Sequence, residues 1–527
     1  MGTLGFGPFG GRGKMKIQAV TRTNDQGSVL HVSLPLLISS TLLILSLILL
    51  MFDVDPLWYV MLMSALCAVP FAARYGNIQL RSWDPVMLVS IAYFLNYPIG
   101  FLILYDTDDS FILLQGKEVL SASMAWACVS FAFFMVAYYV IRTNQTKCDN
   151  SIVTEKDIIA ADTDLKFISA LGWFAILGTL LSIHINGGVE FTFVPVEGEG
   201  DSGGFTGMVS LYMFTLFYPY FFLYSTYYFN RFEKRKPSQK LLLFSCLLYG
   251  IVAAGSGAKI LFFNLLICVL LPLLLSRPKF SRAQIGLGFV VLAFIYLIFT
   301  SVSIYRDIVK ESLPDNKGDP IETLNFQVSG FSKALGIIAL NTLQMHDPHE
   351  SAIEQIQTIN MLTRMGSGVY ELASLFRLSN FESPHENEYS SLLFPVYALV
   401  PRSVWPSKPV FFDSAEHASY YGWSWGGLSV SFIGSLYWAW GYVGICCGFA
   451  ILGIISGVLV GWAQQSGFRN PLASGIMVLF LLSIIYPGLT FQVVFINLVR
   501  YTLIFLAIDT YFKIMNRSNQ TLKSCKI

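Results

Sequence analysis

Apolar positions in this chain come in unbroken blocks, not in alternation or in narrow helical stripes. The blocks cover approximately 33–52, 57–73, 85–104, 118–141, 165–184, 208–229, 240–254, 259–276 and 283–304. After a long polar interval they resume at approximately 430–463, 471–487 and 490–512. A helical run of about 20 apolar residues spans the hydrocarbon core of a bilayer. Lipid also forces each segment to close its own backbone hydrogen bonds, which selects helices. The pattern therefore predicts an all-α polytopic membrane protein with about 12 transmembrane helices. The expected organisation is an N-terminal tail over 1–32, nine spans within 33–304, a large loop over 305–429, three spans within 430–512 and a tail over 513–527.

Two places break the regularity. The blocks 240–254 and 259–276 are short and meet at Gly255-Ser256-Gly257-Ala258-Lys259, a tight glycine turn that sets Lys259 at a membrane boundary. The stretch 430–463 is too long for one simple crossing. Its first part, Val430 to Trp440, reads as a re-entrant or interfacial segment that ends at Gly441. Non-helical backbone at that depth needs protein or a cavity around it.

Charge then orients the spans. Arg12, Lys14, Lys16 and Arg22 precede the first block, Arg74 and Arg81 follow the second, and Arg142 and Lys147 follow the fourth. Lys234, Arg235 and Lys236 follow the sixth, Arg277 and Lys279 the eighth, and Arg469 precedes the eleventh. The alternate loops are acidic, as in Asp106-Thr107-Asp108-Asp109 and Glu197-Gly198-Glu199-Gly200-Asp201. The positive-inside rule puts both termini in the cytoplasm and 305–429 outside, on the periplasmic face in a bacterium.

Composition agrees, with 54% hydrophobic and 13% charged residues where a soluble domain carries about a quarter charged. A net charge of +1 leaves no electrostatic footprint for nucleic acid. None of the eight cysteines has metal-ligand spacing, so they read as small apolar residues and reduced thiols. The first 30 residues are basic and glycine-rich without an apolar core, unlike a cleavable signal peptide.

A loop of about 120 residues among short connections points to function. From Ile353 to Phe376, apolar residues recur at helical spacing, while Arg364, Gly368 and Glu371 fall four and three apart on another face. This predicts an amphipathic helix at the membrane surface or over a cavity. Arg364 and Glu371 then either form a solvated, weakly paired face or turn into a polar cavity, where Gly368 lets a ligand come close. The segment from Glu388 to Val400 is too short to span and reads as buried or re-entrant, ending at Pro401-Arg402.

The stretch Pro401-Arg402-Ser403-Val404-Trp405-Pro406-Ser407-Lys408-Pro409 fixes the backbone with three prolines around a planar guanidinium and a compact ammonium. Asp413, Glu416 and His417 follow, then Tyr420-Tyr421-Gly422-Trp423. Those rings and Trp405 suit stacking on sugars or a membrane-interface belt. Glu371, Asp413, Glu416 and His417 are the candidate proton-handling groups. Lys259, Arg306, Arg364, Arg402 and Lys408 gather cations at an outer face whose short loops avoid them. An anion with a greasy tail, such as a lipid-linked diphosphate, fits that placement.

The Pro401–Pro409 string resembles the Pro-Arg-x-x-Trp-Pro-x-Lys-Pro signature of Wzy-type O-antigen polymerases, a bacterial oligosaccharide repeat-unit polymerase family. The number of spans, the loop position and the Gly255–Lys259 turn are similar too. The resemblance implies a GT-C-like inner-membrane glycosyltransferase with its active site facing the periplasm and no metal or other cofactor. Donor and acceptor would be undecaprenyl-diphosphate-linked oligosaccharides, and a chain-length-regulating membrane protein is an implied partner alongside membrane lipid. Arg402 and Lys408 carry over by motif as diphosphate-binding residues, while Arg306, Arg364 and Lys259 follow from position. The alternatives are an O-antigen ligase and, from a different class, a flippase or transporter of lipid-linked sugar.

Overall fold

The computed structural model describes residues 26–52, 54–76, 84–106, 117–146, 157–185, 213–229, 238–256, 259–276, 305, 329–330, 332–334, 367–379, 405, 430–465, 470–485 and 491–524. These residues are almost entirely helical. Helices α1 (Gln26–Leu50) and α2 (Pro56–Gly76) are followed by α3 (Val86–Phe94), a single π-helical turn (Leu95–Ile99) and α4 (Gly100–Asp106). Next come α5 (Lys117–Thr146), α6 (Asp157–Ile185), α7 (Phe217–Phe229), α8 (Gln239–Ser256) and α9 (Lys259–Ser276). The remaining helices are α10 (Ser367–Leu378), α11 (Phe432–Gln465), α12 (Pro471–Ile485) and α13 (Phe491–Ser524).

Among the described residues five helical segments are long and apolar enough to cross a membrane: Val86–Ile103, Glu118–Gln145, Leu165–His184, Phe432–Gln465 and Val494–Tyr511. Leu34–Leu50, Pro56–Ala72, Gln239–Ala253 and Pro471–Ile485 are apolar but shorter. The block 165–184 coincides with one of the long segments, and 85–104 and 118–141 overlap two more. The block 283–304 lies outside the described residues. At the glycine turn the helix runs further than the sequence predicts: α8 includes Gly255 and Ser256, and Lys259 opens α9. The Tyr249 hydroxyl donates to the Leu261 carbonyl 2.5 Å away, which ties the two helices across that corner.

The most extensive packing joins α11 to α5, which run parallel. Gly453, Gly457 and Gly461 recur every four residues on α11 and face Phe134, Tyr138, Ile141 and Gln145 of α5. A Cβ on Gly457 would lie 2.9 Å from the Ile141 Cβ and 3.2 Å from the Tyr138 carbonyl oxygen, and one on Gly453 would strike the Phe134 carbonyl. Small residues at this spacing let backbones approach closely where lipid gives helices no hydrophobic drive to associate.

The two ends of this pair differ in chemistry. At the C-terminal end of α5, Arg142 donates to Gln145 and to Gln464 of α11. The Tyr138 hydroxyl donates to Asp84, just before α3, at 2.5 Å. From there an aromatic ladder of Tyr138, Phe134, Phe131, Tyr93 and Tyr97 climbs between α5 and α3, with centroids 4.8–6.3 Å apart. At the other end Trp126 of α5 stacks on Tyr442 of α11 at 4.3 Å. Helix α10 docks at this aromatic end, against α4, the π-turn, α5 and α11.

Helix α11 is not continuous. Trp440 (φ −143°, ψ 15°) and Gly441 (φ 64°, ψ −154°) leave helical geometry, at the residues where the sequence reading ends a separate segment. The Gly441 conformation belongs to a region that residues with a Cβ essentially avoid. The preceding half-helix, Phe432 to Ala439, is buried at every position. Ser431, at φ 54°, accepts the Gly434 N–H on its Oγ at 3.1 Å and so caps the half-helix.

Gly457→Leu is expected to destabilise the protein by about 1–3 kcal/mol, because the α5–α11 seam has no room for the side chain. Gly250 has nothing within 4 Å of its Cβ position. Gly250→Ala should therefore leave stability unchanged or gain about 0.5 kcal/mol from helix propensity. Thermal unfolding of the two variants in one detergent checks both signs.

Candidate functional site

Helix α10 carries Val369, Leu372, Ala373 and Phe376 at the i, i+3, i+4, i+7 spacing of an apolar stripe, and all four are buried. A second stripe, Gly368, Glu371 and Leu375, is buried as well. Arg377 is exposed and Tyr370 half-buried. Of the two settings expected for this helix, the membrane surface or the cover of a cavity, the burial of both stripes excludes a solvated face over the described residues. Its expected polar face, Gly368 and Glu371, turns into the protein, and the solvated reading of Glu371 falls with its 7% exposure. Residues 353–366, including Arg364, lie outside the described residues.

The contacts explain why that face turns inward. A Cβ on Gly368 would lie 3.0 Å from Tyr97 Cζ and 3.1 Å from its hydroxyl oxygen. The notch expected to admit a ligand is therefore filled by the Tyr97 ring. One stripe position further along, Leu375 fits against Gly434 of the half-helix, where a Cβ would come to 2.5 Å from Leu375 Cδ1. Glu371 sits between these two contacts on the same stripe, so its carboxylate lies between the π-turn and the N-terminal half of α11.

An aromatic and hydroxyl cluster holds the other side of α10. Phe376 meets Tyr437 edge-to-face at 4.7 Å, and Tyr437 and Tyr442 lie 5.3 Å apart. The Tyr437 hydroxyl shares a 2.8 Å hydrogen bond with Ser379 Oγ, just past the end of α10. Behind the half-helix, Ser435 Oγ accepts the Phe491 N–H at 2.9 Å, and Trp440 packs on Phe491 at 4.7 Å. The half-helix thus bridges α10 to the start of α13.

The π-turn has a local cause. Pro98 has no N–H and its ring clashes with the carbonyl four residues back, so the helix widens there by one residue. Asn96 Nδ2 donates to the Ala92 carbonyl at 2.8 Å beside the widened turn. The sequence reading passes over Tyr97, Tyr437 and Ser379. The polar triplet Asn96-Tyr97-Pro98 inside an apolar block is the signal that marks the first of these. It also passes over Arg500, half-buried within the span Val494–Tyr511.

Of the site residues expected from the sequence, Glu371 is described as a buried residue of α10. Trp405 is half-buried. Lys259 is described as the first residue of α9. Arg306, Arg402, Lys408, Asp413, Glu416, His417, Tyr420, Tyr421 and Trp423 lie outside the described residues. Among the described residues no group of three or more His, Cys, Asp or Glu is placed to hold a metal.

Chemically, the described part of the site offers a buried carboxylate beside a phenol, within an aromatic and aliphatic wall. Such a carboxylate can take a proton from a hydroxyl brought to it, and a water-poor wall strengthens its field. Gly368→Val should displace Tyr97 and lower the unfolding midpoint. Adding Tyr97→Ala to the same chain should recover part of the loss, because it empties the space the new side chain needs. Melting curves of the two single variants and the double variant check this compensation. Protein-family models, curated proteins and solved structures all give no match to this chain.

Proposed function

We propose that this protein is a membrane glycosyltransferase that polymerises lipid-diphosphate-linked oligosaccharide repeats at the outer face of a bacterial inner membrane. The observation that carries the reading is the seat of α10. This piece of the 305–429 interval is buried at the end of the bundle where α5 and α11 begin, and it holds the carboxylate of Glu371 inside. The parallel run of α5 and α11 is compatible with an odd number of crossings between them, five in the twelve-span reading. The positive-inside assignment of Arg142 and Arg469 then makes the α10 end the outer one.

In this reading Arg402 and Lys408, with Arg306, Arg364 and Lys259, hold the diphosphate of the donor. Fixed cations stabilise the charge that builds on the phosphate oxygens as the glycosyl bond breaks. Glu371 is the base for the acceptor hydroxyl that Glu371, Asp413, Glu416 and His417 compete to supply, and the buried setting of Glu371 favours it. Trp405, Tyr420, Tyr421 and Trp423 supply stacking faces for the sugars.

A strain lacking the gene should still display single repeat units but no longer chains. A ligase deletion would display none, and a flippase deletion would trap the units inside. Complementation with Arg402→Ala at normal protein levels should leave the chains short. Full-length chains from that variant would sink the anion-binding role. Purified protein should elongate lipid-linked repeats in detergent without added nucleotide sugar.

A further inference from the structure

Charge inside an apolar span is a feature the reading above leaves unused. Among the described residues, the five long apolar segments hold three Lys or Arg. Lys166 and Arg142 lie one and three residues from a segment end, where a long side chain reaches the interface. Arg500 lies six residues inside Val494–Tyr511, which is about 9 Å at helical rise. A cation at that depth is costly in hydrocarbon and marks a ligand site or a path by default.

Two contacts fix the rotation of α13. Tyr501 is buried and hydrogen-bonds Thr215, just before α7. One turn on, Phe505 packs on Phe167 of α6 with centroids 6.1 Å apart, and its ring fills the space over Gly475 of α12. Arg500 is about 100° around the helix from Tyr501, so it is held on a flank, where it is half-buried. Asn497, three residues earlier and also half-buried, adds an amide on the same side. Asp509, the other charged residue of the segment, is nine residues further on and on another face.

The stripe that carries Arg500 changes character along α13. Ile496, one turn before, is buried, while Ala507 and Tyr511 beyond it are exposed. Helical side chains lean toward the N-terminal end, so the guanidinium leans toward the covered part of the stripe. A snorkelling residue would instead follow an exposed surface to the headgroups. The covered part leads to Phe491, whose N–H is held by Ser435 of the half-helix that packs on α10. Arg500 thus stands between lipid-exposed helix and the end of the bundle where α10 is seated.

We propose that Arg500 is a lipid-phosphate contact: its guanidinium, with Asn497 beside it, binds the phosphate of a membrane-borne lipid that approaches from the exposed side of α13. A guanidinium has five N–H donors in a fork that matches phosphate oxygens, so Arg500 keeps its partners in the protein and still offers donors to a ligand. The exposed apolar side chains of Leu503, Ala507 and Tyr511 give the lipid tail its surface. The glycosyltransferase reading makes that lipid the diphosphate carrier of the sugar, and the carrier's identity rests on that reading. The phosphate contact does not.

The test uses the full-length protein in detergent and three probes: undecaprenyl diphosphate, phosphatidylglycerol and undecaprenol, which has no phosphate. Native mass spectrometry reads the dissociation constant of each. Arg500→Ala should weaken binding of a phosphate lipid about tenfold, the loss of one charge-assisted contact, and leave undecaprenol unchanged. A loss confined to undecaprenyl diphosphate supports the proposal with the sugar carrier as its lipid. A loss confined to phosphatidylglycerol supports the phosphate contact and removes the carrier from it. Lys240→Ala, which takes away an exposed cation of α8, should change none of the three. Equal binding of both phosphate lipids by the wild type and Arg500→Ala, including none by either, overturns the proposal. An equal fall for undecaprenol, or in Lys240→Ala, does the same.

A second measurement stands if Arg500→Ala folds poorly. Phenylglyoxal modifies guanidinium groups, and peptide mass spectrometry reads its addition to Arg500 in the wild type. Saturating phosphate lipid should slow that addition about tenfold, matching the affinity change, whereas undecaprenol should not. Equal modification with phosphate lipid and with undecaprenol overturns the proposal. Neither readout requires glycosyl transfer, so an inactive polymerase and an Arg500 indifferent to phosphate are separate results.

Discussion

The close approach of α5 and α11 is the contact on which the rest of the arrangement depends. In lipid, apolar surface gains nothing by leaving one apolar surrounding for another, so helices stay together through shape and through polar bonds. The glycine row Gly453, Gly457, Gly461 supplies the shape, since no side chain holds the two backbones apart. Arg142 and Gln464 fasten one end, while Trp126 and Tyr442 close the other with an aromatic stack. Because the pair is parallel, both helices begin at the same end, and that is where α10 finds its seat.

The second determinant is the break in α11. A continuous helix would carry Phe432–Ala439 along the axis of the rest. Gly441 instead adopts a conformation open to glycine, and the half-helix packs separately between α10 and α13. Every residue of that half-helix is buried, so its polar groups need partners. Ser431 and Ser435 supply them, one as a cap and one as an acceptor for the start of α13. Glu371 therefore lies among elements whose positions are each fixed by a bond or a close contact.

Much of the helical framework is legible in the sequence because the bilayer constraint is local: each apolar block must satisfy its own backbone. The blocks 165–184 and 471–487 coincide closely with helices, and the excess length of 430–463 betrays the break near Gly441. The glycine turn at 255–259 is read less well, because Gly255 and Ser256 stay in α8 and Lys259 already opens α9. The face of α10 is left open by the sequence for a different reason. A Gly and a Glu three residues apart look like a solvent face by polarity alone. They become a buried stripe only because Tyr97, about 270 positions earlier, enters the glycine notch.

By itself, then, the sequence determined the class of the molecule, a helical membrane protein, and the position of several of its apolar helices, because hydrocarbon thickness and backbone hydrogen bonding act within each segment. It also carried the proline-bounded Arg402–Lys408 string that first pointed to an anionic lipid. Tertiary structure alone decided which α10 face is inside, that Tyr97 and Glu371 share it, and that the half-helix at 432–439 backs them. Those facts are set by the fit of surfaces far apart in the chain, and no periodicity within one segment encodes what its partner will be.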